Sequence, residues 1–297
     1  MTDELDFIQS LRAIAAHSAA RGLEDDAAVL QVGSETLILT HDTMVEGVHY
    51  LPQQNMADVA WKLVSVNLSD LAAKGAQPLG VLYSHMLGAN DNQFLDGLRE
   101  ALQAYNVPLL GGDTTAGGPP RAFGLTAIGR ATHRPVPSRS GAKPGDGVYL
   151  TGPVGAAMLG FETLRDNNDG DTAAYRRPIA LLRQGRALAP LVSAIMDVSD
   201  GLLLDASRIA NASKVTINLD PRAVPIAVPE NRRDEALRWG DDYQLLFTAP
   251  DAIQWPVPVH QIGKVEECGP SPLLINGAVP QKGDRLGFRH SRSIGTD

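Results

Sequence analysis

The sequence predicts an α+β protein made of two α/β domains. Two short apolar runs, residues 27–32 and 36–40, are separated by Gly33-Ser34-Glu35, and this pattern indicates a β-hairpin. Helical periodicity and further strand-like runs follow in both halves of the chain. A hairpin followed by mixed helices and strands favours two α+β domains over one doubly wound sheet.

The N-terminal half is predicted to hold three helices, residues 3–17, 57–74 and 91–105. The strands predicted around them are residues 27–32, 36–40, 79–87, 107–110 and 123–129. Apolar residues at spacings of three and four define the helices, and short apolar runs define the strands. Gly75 is expected to end the second helix, and Asp91 is expected to cap the start of the third.

Residues 132–146 contain three prolines and two glycines with few large apolar residues, which is typical of a linker. This segment divides the chain into predicted domains 1–135 and 146–297. In the second domain, the predicted helices are residues 156–165, 180–191 and 202–212. The predicted strands there are residues 147–150, 194–196, 215–219, 243–247 and 260–265.

Composition excludes several classes of function. A length of 297 residues suits about two domains, and a 43% hydrophobic content allows a buried core. The net charge of −8 disfavours a protein that binds the phosphate backbone of nucleic acids. With Cys268 as the single cysteine, no intramolecular disulfide can form.

No apolar run approaches the ~20 residues that a membrane span needs. The acidic start of the chain also lacks the basic and apolar segments of a signal peptide. We therefore expect a cytoplasmic protein without membrane partners.

A recurring pattern places aspartates directly after strand-like runs, beside Gly, Ser or Thr. Five segments show it: Gly22-Leu23-Glu24-Asp25-Asp26, Thr40-His41-Asp42-Thr43, Asn67-Leu68-Ser69-Asp70, Gly111-Gly112-Asp113-Thr114-Thr115 and Asp197-Val198-Ser199-Asp200-Gly201. Mg²⁺ binds few protein carboxylates and completes its octahedron with water and substrate phosphates. Carboxylates on small-residue turns can converge on such an ion and leave room for a polyphosphate.

Each aspartate alone has an ordinary explanation, because Asp favours caps and turns. Two adjacent carboxylates at Asp25 and Asp26 are harder to explain in that way, since they repel unless solvated or held by a cation. The five segments together predict a metal site.

Other nucleotide-binding and metal-binding signatures are absent. The chain has no Walker glycine loop, no protein-kinase motif set and no Cys/His zinc pattern. Gly152-Pro153-Val154-Gly155 precedes a helix and could present N–H groups to an anion, but a simple strand-to-helix turn explains it equally well.

The motifs resemble those of the thiamine-monophosphate kinase family, within the aminoimidazole ribonucleotide synthetase-like superfamily. The segments that carry the resemblance run from about residue 6 to 288: residues 24–30, 40–49, 66–75, 111–115, 139–146 and 197–201. The resemblance implies two α/β domains, the first dimerising through its strands into a shared barrel-like sheet. It also implies a Mg²⁺-dependent transfer of the γ-phosphoryl group of ATP to thiamine monophosphate.

The resemblance further implies roles for individual residues. The implied metal ligands are Asp26, Thr40, Asp42, Asp70, Asp113, Asp197 and Asp200, with several Mg²⁺ ions. Gly112, Arg139 and Ser199 are implied ATP contacts, and His49, Asp241 and Phe288 are implied substrate contacts. Asp113, Asp200 and Arg139 are the expected catalytic residues, and a homodimer is the expected assembly.

The chain departs from the family pattern at Glu24, at His41 and in the segment Trp239-Gly240-Asp241-Asp242-Tyr243-Gln244, which has one glycine fewer. These departures are expected to alter the substrate pocket more than the metal site. Two alternatives remain open: another ATP-dependent phosphotransferase or synthetase of the superfamily, and a non-catalytic nucleotide-binding relative.

Overall fold

The computed structural model describes residues 4–251, 253–281 and 283–290. Its first half contains helices α1 (Glu4–Arg12), α2 (Met56–Ala73) and α3 (Asp91–Tyr105). The strands of that half are β1 (Ala28–Val32), β2 (Glu35–Val45), β3 (Ala76–Leu87), β4 (Leu109–Ala116) and β5 (Ala122–Ala131).

The second half begins after an irregular segment. Its helices are α4 (Ala156–Arg165), α5 (Ala173–Arg176), α6 (Leu182–Leu188), α7 (Leu202–Ser213) and α8 (Arg233–Trp239). Its strands are β6 (Gly147–Leu150), β7 (Ala194–Asp197), β8 (Thr216–Leu219), β9 (Leu245–Ala249), β10 (His260–Glu266) and β11 (Leu273–Ile275). The fold is therefore mixed α+β with a sheet in each half, as predicted.

The first sheet has the strand order β1-β2-β5-β3-β4. The predicted hairpin is confirmed, with β1 antiparallel to β2, and β4 lies parallel to β3 at the opposite edge. The second sheet has the order β11-β8-β10-β6-β9-β7. Neither sheet closes on itself within the described ranges.

Helix α2 lies between the two sheets. Its core side chains, among them Leu63 and Leu71, share one apolar cluster with Ile38 of β2 and with Ile195 and Phe247 of the second sheet. Fifteen of its 18 residues are buried. Since the helix has almost no solvent-facing side, its polar residues need partners inside the protein.

Among the described residues, the helices pack on one face of the first sheet. Residues such as Ile38, Phe123 and Val81 point into the core beneath α2 and α3 and are fully buried. Toward the β4 edge of the sheet, large apolar side chains of β3 and β4 stay exposed: Leu82, Leu87, Leu109 and Leu110. This half of the chain therefore leaves an apolar sheet edge uncovered.

Several predicted boundaries shift in the structure. Helix α1 ends at Arg12, well before the predicted residue 17, and the predicted start at residue 3 lies outside the described residues. The cap of α3 is Asn90 in a left-handed conformation, so the prediction of Asp91 as its cap was wrong. The predicted helix over 180–191 is reduced to the seven residues of α6.

The largest difference concerns β4. The sequence predicts that this strand ends at residue 110, whereas β4 continues through Gly111-Gly112-Asp113 to Ala116. Pairing with β3 explains the extension, because Gly112 packs so closely on Tyr83 that a Cβ there would lie 2.0 Å from the Tyr83 carbonyl oxygen. Only glycine allows that approach.

Across the described ranges, no helix has the length and apolar character required to cross a membrane.

Candidate metal and phosphate-transfer site

Three carboxylates from three different elements meet between the sheets. Asp26 lies just before β1, Asp70 lies in the last turn of α2, and Asp197 ends β7. One carboxylate oxygen from each lies within 4.8 Å of the others. The position of α2 between the sheets produces this convergence, because its C-terminal turn contacts both β2 and β7.

Burial and mutual repulsion leave two of these carboxylates, Asp70 and Asp197, without a compensating positive charge. Burial raises the pKa of Asp70 well above its ordinary value, and the charges of Asp42, Asp197 and Asp26 raise it further. Burial also raises the pKa of Asp197 to about 7, with Asp26 adding to the rise. Such carboxylates favour any cation that binds between them.

Thr40 and Asp42 extend the cluster along β2. The Thr40 hydroxyl donates a hydrogen bond to the Asp70 carboxylate, and the backbone N–H of Asp42 donates to the Asn67 side chain of α2 at 2.9 Å. Burial raises the pKa of Asp42 to about 6, and the Asp200 and Asp26 carboxylates contribute to that increase. The structure therefore brings both predicted residues to the three-carboxylate cluster.

The loop after β7 contributes Ser199 and Asp200. Buried Asp205 accepts hydrogen bonds from the backbone N–H groups of both residues, each at 3.1 Å, and fixes the loop. The Asp200 carboxylate also pairs with Arg208 at 2.6 Å. Asp200 remains partly exposed, with 28% of its side chain accessible, so it can still reach a ligand.

Two cationic side chains contact the edge of the cluster. Arg139 donates from Nε to Asp26 Oδ1 at 2.6 Å, and Lys74 Nζ lies 2.6 Å from Asp26 Oδ2. Arg21 and Lys74 both pair with Asp25. Burial alone would raise the pKa of Asp25, but these two cations lower it to about 2.

A polar cavity of about 360 Å³ opens beside Arg139. Its lining residues are Arg21, Glu24, Asp25, Ser138 and Ser140. Asp25 lines the cavity and directly precedes Asp26 of the carboxylate cluster, so the cavity lies close to that cluster.

The donor set fits magnesium. Carboxylate and hydroxyl oxygens are hard ligands that suit Mg²⁺, whereas the described residues place no Cys or His in the cluster. The raised pKa values of Asp70 and Asp197 add an independent sign that this cluster lacks positive charge.

A second cluster contains the three predicted substrate residues. The rings of His49 and Phe288 both lie near the ring of His290, with centroids 5.3 and 5.0 Å away. Asp241 is tied to this group by Lys62, whose Nζ lies 2.7 Å from the Asp241 carboxylate and 3.2 Å from the carbonyl oxygen of His49.

Aromatic groups complete the second cluster. Lys62 Nζ lies 4.0 Å from the ring centroid of Tyr175, and the Tyr243 hydroxyl donates to Asp241 at 2.8 Å. Burial lowers the pKa of His49, and the neighbouring His290 lowers it further, so His49 favours the neutral form. His49 then accepts a hydrogen bond from the backbone N–H of Val45 at 3.0 Å.

Asp113 and Gly112 lie apart from both clusters within one chain. The register pairs Asp113 with Ser84, Ser84 with Gly124 and Gly124 with Thr43, so three strand spacings, about 14 Å, separate Asp113 from β2. Paired residues share a sheet face, whereas Asp42, next to Thr43, points to the opposite face. Asp113 therefore lies on the face that α2 does not cover.

The glycine turn at residues 152–155 binds an anion from within the chain. The N–H of Gly155, at the start of α4, donates to the Asp242 carboxylate at 2.8 Å. Since the Asp242 carboxylate already accepts the N–H of Gly155, the structure favours a strand-to-helix turn at residues 152–155 over a site for an external anion.

Sequence reasoning missed Lys62, Lys74 and Asp205. The two lysines lie in or just after α2, and an isolated lysine near a helix usually faces solvent. A signal did exist: α2 reads as apolar on nearly all sides, which predicts a fully buried helix whose charged residues must be paired.

Comparison with known proteins places the chain in a family. The AIR synthase related protein models match it twice, with the N-terminal domain over residues 24–131 and the C-terminal domain over residues 143–270. Together these matches cover most of the chain, so it belongs to the AIR synthase related family.

Relatives define the branch of that family. Thiamine-monophosphate kinase of Escherichia coli K12 is 38% identical over 77% of this chain and 76% of its own length, and that of Salmonella typhimurium is 37% identical over 91% of each. A solved structure, AaThiL complexed with AMPPCP and TMP, superposes with a TM-score of 0.87 at 28% identity, covering 97% of each chain. The chain is a member of the thiamine-monophosphate kinase family and is a kinase.

Proposed function

We propose that this kinase transfers the γ-phosphoryl group of ATP to thiamine monophosphate, directly and with Mg²⁺. The observation that carries the proposal is the convergence of Asp26, Asp70 and Asp197 between the sheets, beside a polar cavity and Arg139. The relative solved with AMPPCP and TMP supports both substrates.

The acceptor makes a strong general base unnecessary. A phosphate monoester has a second pKa of about 6, so its oxygen is mostly deprotonated near neutral pH. The main obstacle is repulsion between two phosphate groups, and Mg²⁺ held by these carboxylates would supply the positive charge that offsets it. In-line attack then needs positioning rather than a covalent intermediate.

Each residue of the first cluster has a place in this mechanism. Asp26, Asp42, Asp70, Asp197 and Asp200 would hold Mg²⁺ through carboxylate oxygens, with Thr40 as an additional hydroxyl ligand or as the partner of Asp70. The guanidinium of Arg139 would contact the ATP phosphates from the edge of the cluster. Ser199, on the loop fixed by Asp205, would present its backbone or hydroxyl to the nucleotide.

The second cluster would bind the acceptor. Neutral His49, the ring of Phe288 and the carboxylate of Asp241 surround one region, and Lys62 already neutralises Asp241. Aromatic rings suit a flat organic cation such as the thiazolium ring of thiamine monophosphate. The altered segment at Gly240-Asp241-Asp242 would therefore set acceptor preference.

The assembly proposed is a homodimer formed through the first sheet. Its support is the exposed apolar edge formed by Leu82, Leu87, Leu109 and Leu110, and the position of Asp113 on the uncovered face. Two such sheets packed together would give the barrel-like arrangement. In that dimer, Asp113 of a second copy would complete the metal and ATP site that one chain leaves open.

Analysis of the reaction products tests this proposal. With Mg²⁺, ATP and thiamine monophosphate, ³¹P NMR should show thiamine diphosphate and ADP forming in equal amounts. Release of orthophosphate with ADP would instead favour an activating synthetase of the same superfamily. No ADP under any condition would favour a non-catalytic nucleotide-binding protein.

Three further expectations remain predictions. They are the cytoplasmic location, the absence of nucleic-acid and membrane partners, and the division of the chain into domains 1–135 and 146–297.

A further inference from the structure

Lys74 is the most completely enclosed cation at the carboxylate cluster. Its side chain has no solvent exposure, and its Nζ lies 2.6 Å from Asp26 Oδ2. The same ammonium group bonds the Asp25 carboxylate and lies 3.3 Å from the carbonyl oxygen of Ile195, on β7. Lys74 thus joins the end of α2, the acidic pair before β1 and the second sheet.

The carboxylates near Lys74 differ in how many cationic side chains they contact. Asp25 and Asp26 each have two cationic partners, Arg21 with Lys74 and Arg139 with Lys74, respectively. Among the described residues, the Asp70 and Asp197 side chains receive hydrogen bonds only from hydroxyl groups, those of Thr40 and Ser69. One side of the cluster is neutralised by the protein, and the other side is left for an added ion.

We propose that Lys74 is a built-in cation of the metal site, neutralising Asp25 and one carboxylate oxygen of Asp26 so that no further divalent ion is needed on that side. It keeps the acidic pair in position when no metal is bound, and it directs Mg²⁺ toward Asp70 and Asp197. This inference rests on the proposed Mg²⁺ site. Lys74 is a positioning residue, because it acts through Asp26 rather than on the substrates.

The substitution Lys74→Met tests it, because Met keeps most of the volume and removes the charge. In EDTA, the melting temperature should fall by roughly 5–15 °C, since two buried carboxylates lose a partner. Saturating Mg²⁺ should recover at least half of that loss. Mn²⁺ titrated by calorimetry with a non-hydrolysable ATP analogue should bind at least about tenfold more tightly, because a positive charge close to the ion has been removed.

Lys62→Met is the matched control. Lys62 is an equally buried lysine of α2, but its carboxylate partner is Asp241, in the second cluster. This variant should also melt earlier, yet Mg²⁺ should not recover its loss and Mn²⁺ affinity should stay within about twofold of wild type.

A double variant covers the case in which Lys74→Met does not fold without metal. Asp25→Asn combined with Lys74→Met removes both charges and should melt in EDTA at a higher temperature than Lys74→Met alone. The inference is overturned if Mg²⁺ recovers no stability, if Mn²⁺ affinity is unchanged, or if the double variant shows no recovery. Failure of the wild-type protein to bind Mn²⁺ would overturn the proposed metal site itself, together with this inference.

Discussion

The two clusters beside α2 differ in how their charges are balanced. In the first cluster, the proposed metal side, one carboxylate oxygen each of Asp26, Asp70 and Asp197 lies within 4.8 Å of the others, and burial raises the pKa of the latter two. In the second cluster, the proposed acceptor side, the Asp241 carboxylate is matched by Lys62 at 2.7 Å. The first cluster is therefore short of positive charge, and the second is already neutral.

This difference in charge balance suggests how the two clusters would select different ligands. A cluster that lacks positive charge gains free energy when a cation binds, so it selects its ligand by charge. A cluster that is already neutral gains little from charge alone, so shape and aromatic contact must decide what binds. Substitutions in the two clusters should consequently have different signatures.

The largest effect is expected for Asp70→Asn. Removing a carboxylate from the metal side should lower kcat by about 10³-fold or more, or about 4 kcal/mol of transition-state stabilisation. The same change relieves repulsion, so the metal-free protein should melt at a higher temperature in EDTA. A kinase assay and thermal melts check both results.

Asp169→Asn is the control for this variant, since Asp169 is exposed at a turn. It should leave both the rate and the melting temperature unchanged. Near-normal turnover by Asp70→Asn would remove that residue from the metal site.

The next effect concerns Asp113, which within one chain lies far from the metal-side cluster. If a second copy supplies it, co-expressed Asp113→Asn and Asp70→Asn chains should regain about a quarter of wild-type activity, because half of the dimers carry one intact site. Each variant alone should be nearly inactive.

The same experiment separates the alternatives. No recovery in the mixed protein would place Asp113 and Asp70 in the same chain's site.

Leu110→Glu, at the exposed sheet edge, should give a monomer by light scattering and should also lower activity.

A smaller effect is expected for Lys62→Met on the acceptor side. Lys62 positions both Asp241 and the carbonyl group of His49, so its loss should disorder the acceptor pocket and raise KM for thiamine monophosphate about tenfold, or about 1.4 kcal/mol. KM for ATP should change little. Steady-state kinetics with each substrate varied in turn would show whether only KM for thiamine monophosphate changes. An equal rise in both KM values would contradict the separation of the two clusters.

The smallest effect is the pH dependence of metal-free stability. An Asp has a pKa of about 3.9 in an unfolded chain, whereas burial raises the pKa of Asp197 to about 7 in the fold. The folded protein therefore holds that proton more tightly. The contribution of Asp197 to stability should be complete below about pH 4 and should be lost as pH rises through about 7.

Thermal melts in EDTA should accordingly show a decrease of several degrees between pH 5 and pH 8. Asp197→Asn should flatten this dependence, and saturating Mg²⁺ should oppose it, because the ion favours the charged carboxylates. A melting temperature that rises with pH in EDTA would contradict the assigned repulsion.

Much of the metal side could be predicted from local sequence. Asp26, Asp42, Asp70 and Asp197 stand beside small residues at the ends of apolar runs, and such positions converge when strands and helices pack. The strand pattern also predicted the hairpin and most of the two sheets. These features depend on neighbours in the chain, which a sequence displays directly.

The remaining features depend on partners that are distant in the sequence. Asp113 was predicted to lie beyond the end of its strand, and its place on the uncovered face follows only from the pairing of β4 with β3 and of β3 with β5. Lys62 and Lys74 bond residues up to 179 positions away, as in the pair of Lys62 with Asp241. No local pattern reveals such ion pairs.

The most direct test of the account is the dependence of ADP release on the acceptor. With Mg²⁺ and ATP, a coupled assay should show ADP release that requires thiamine monophosphate and that stops when EDTA removes the metal. The same rate of ADP release with and without thiamine monophosphate would contradict the proposed reaction.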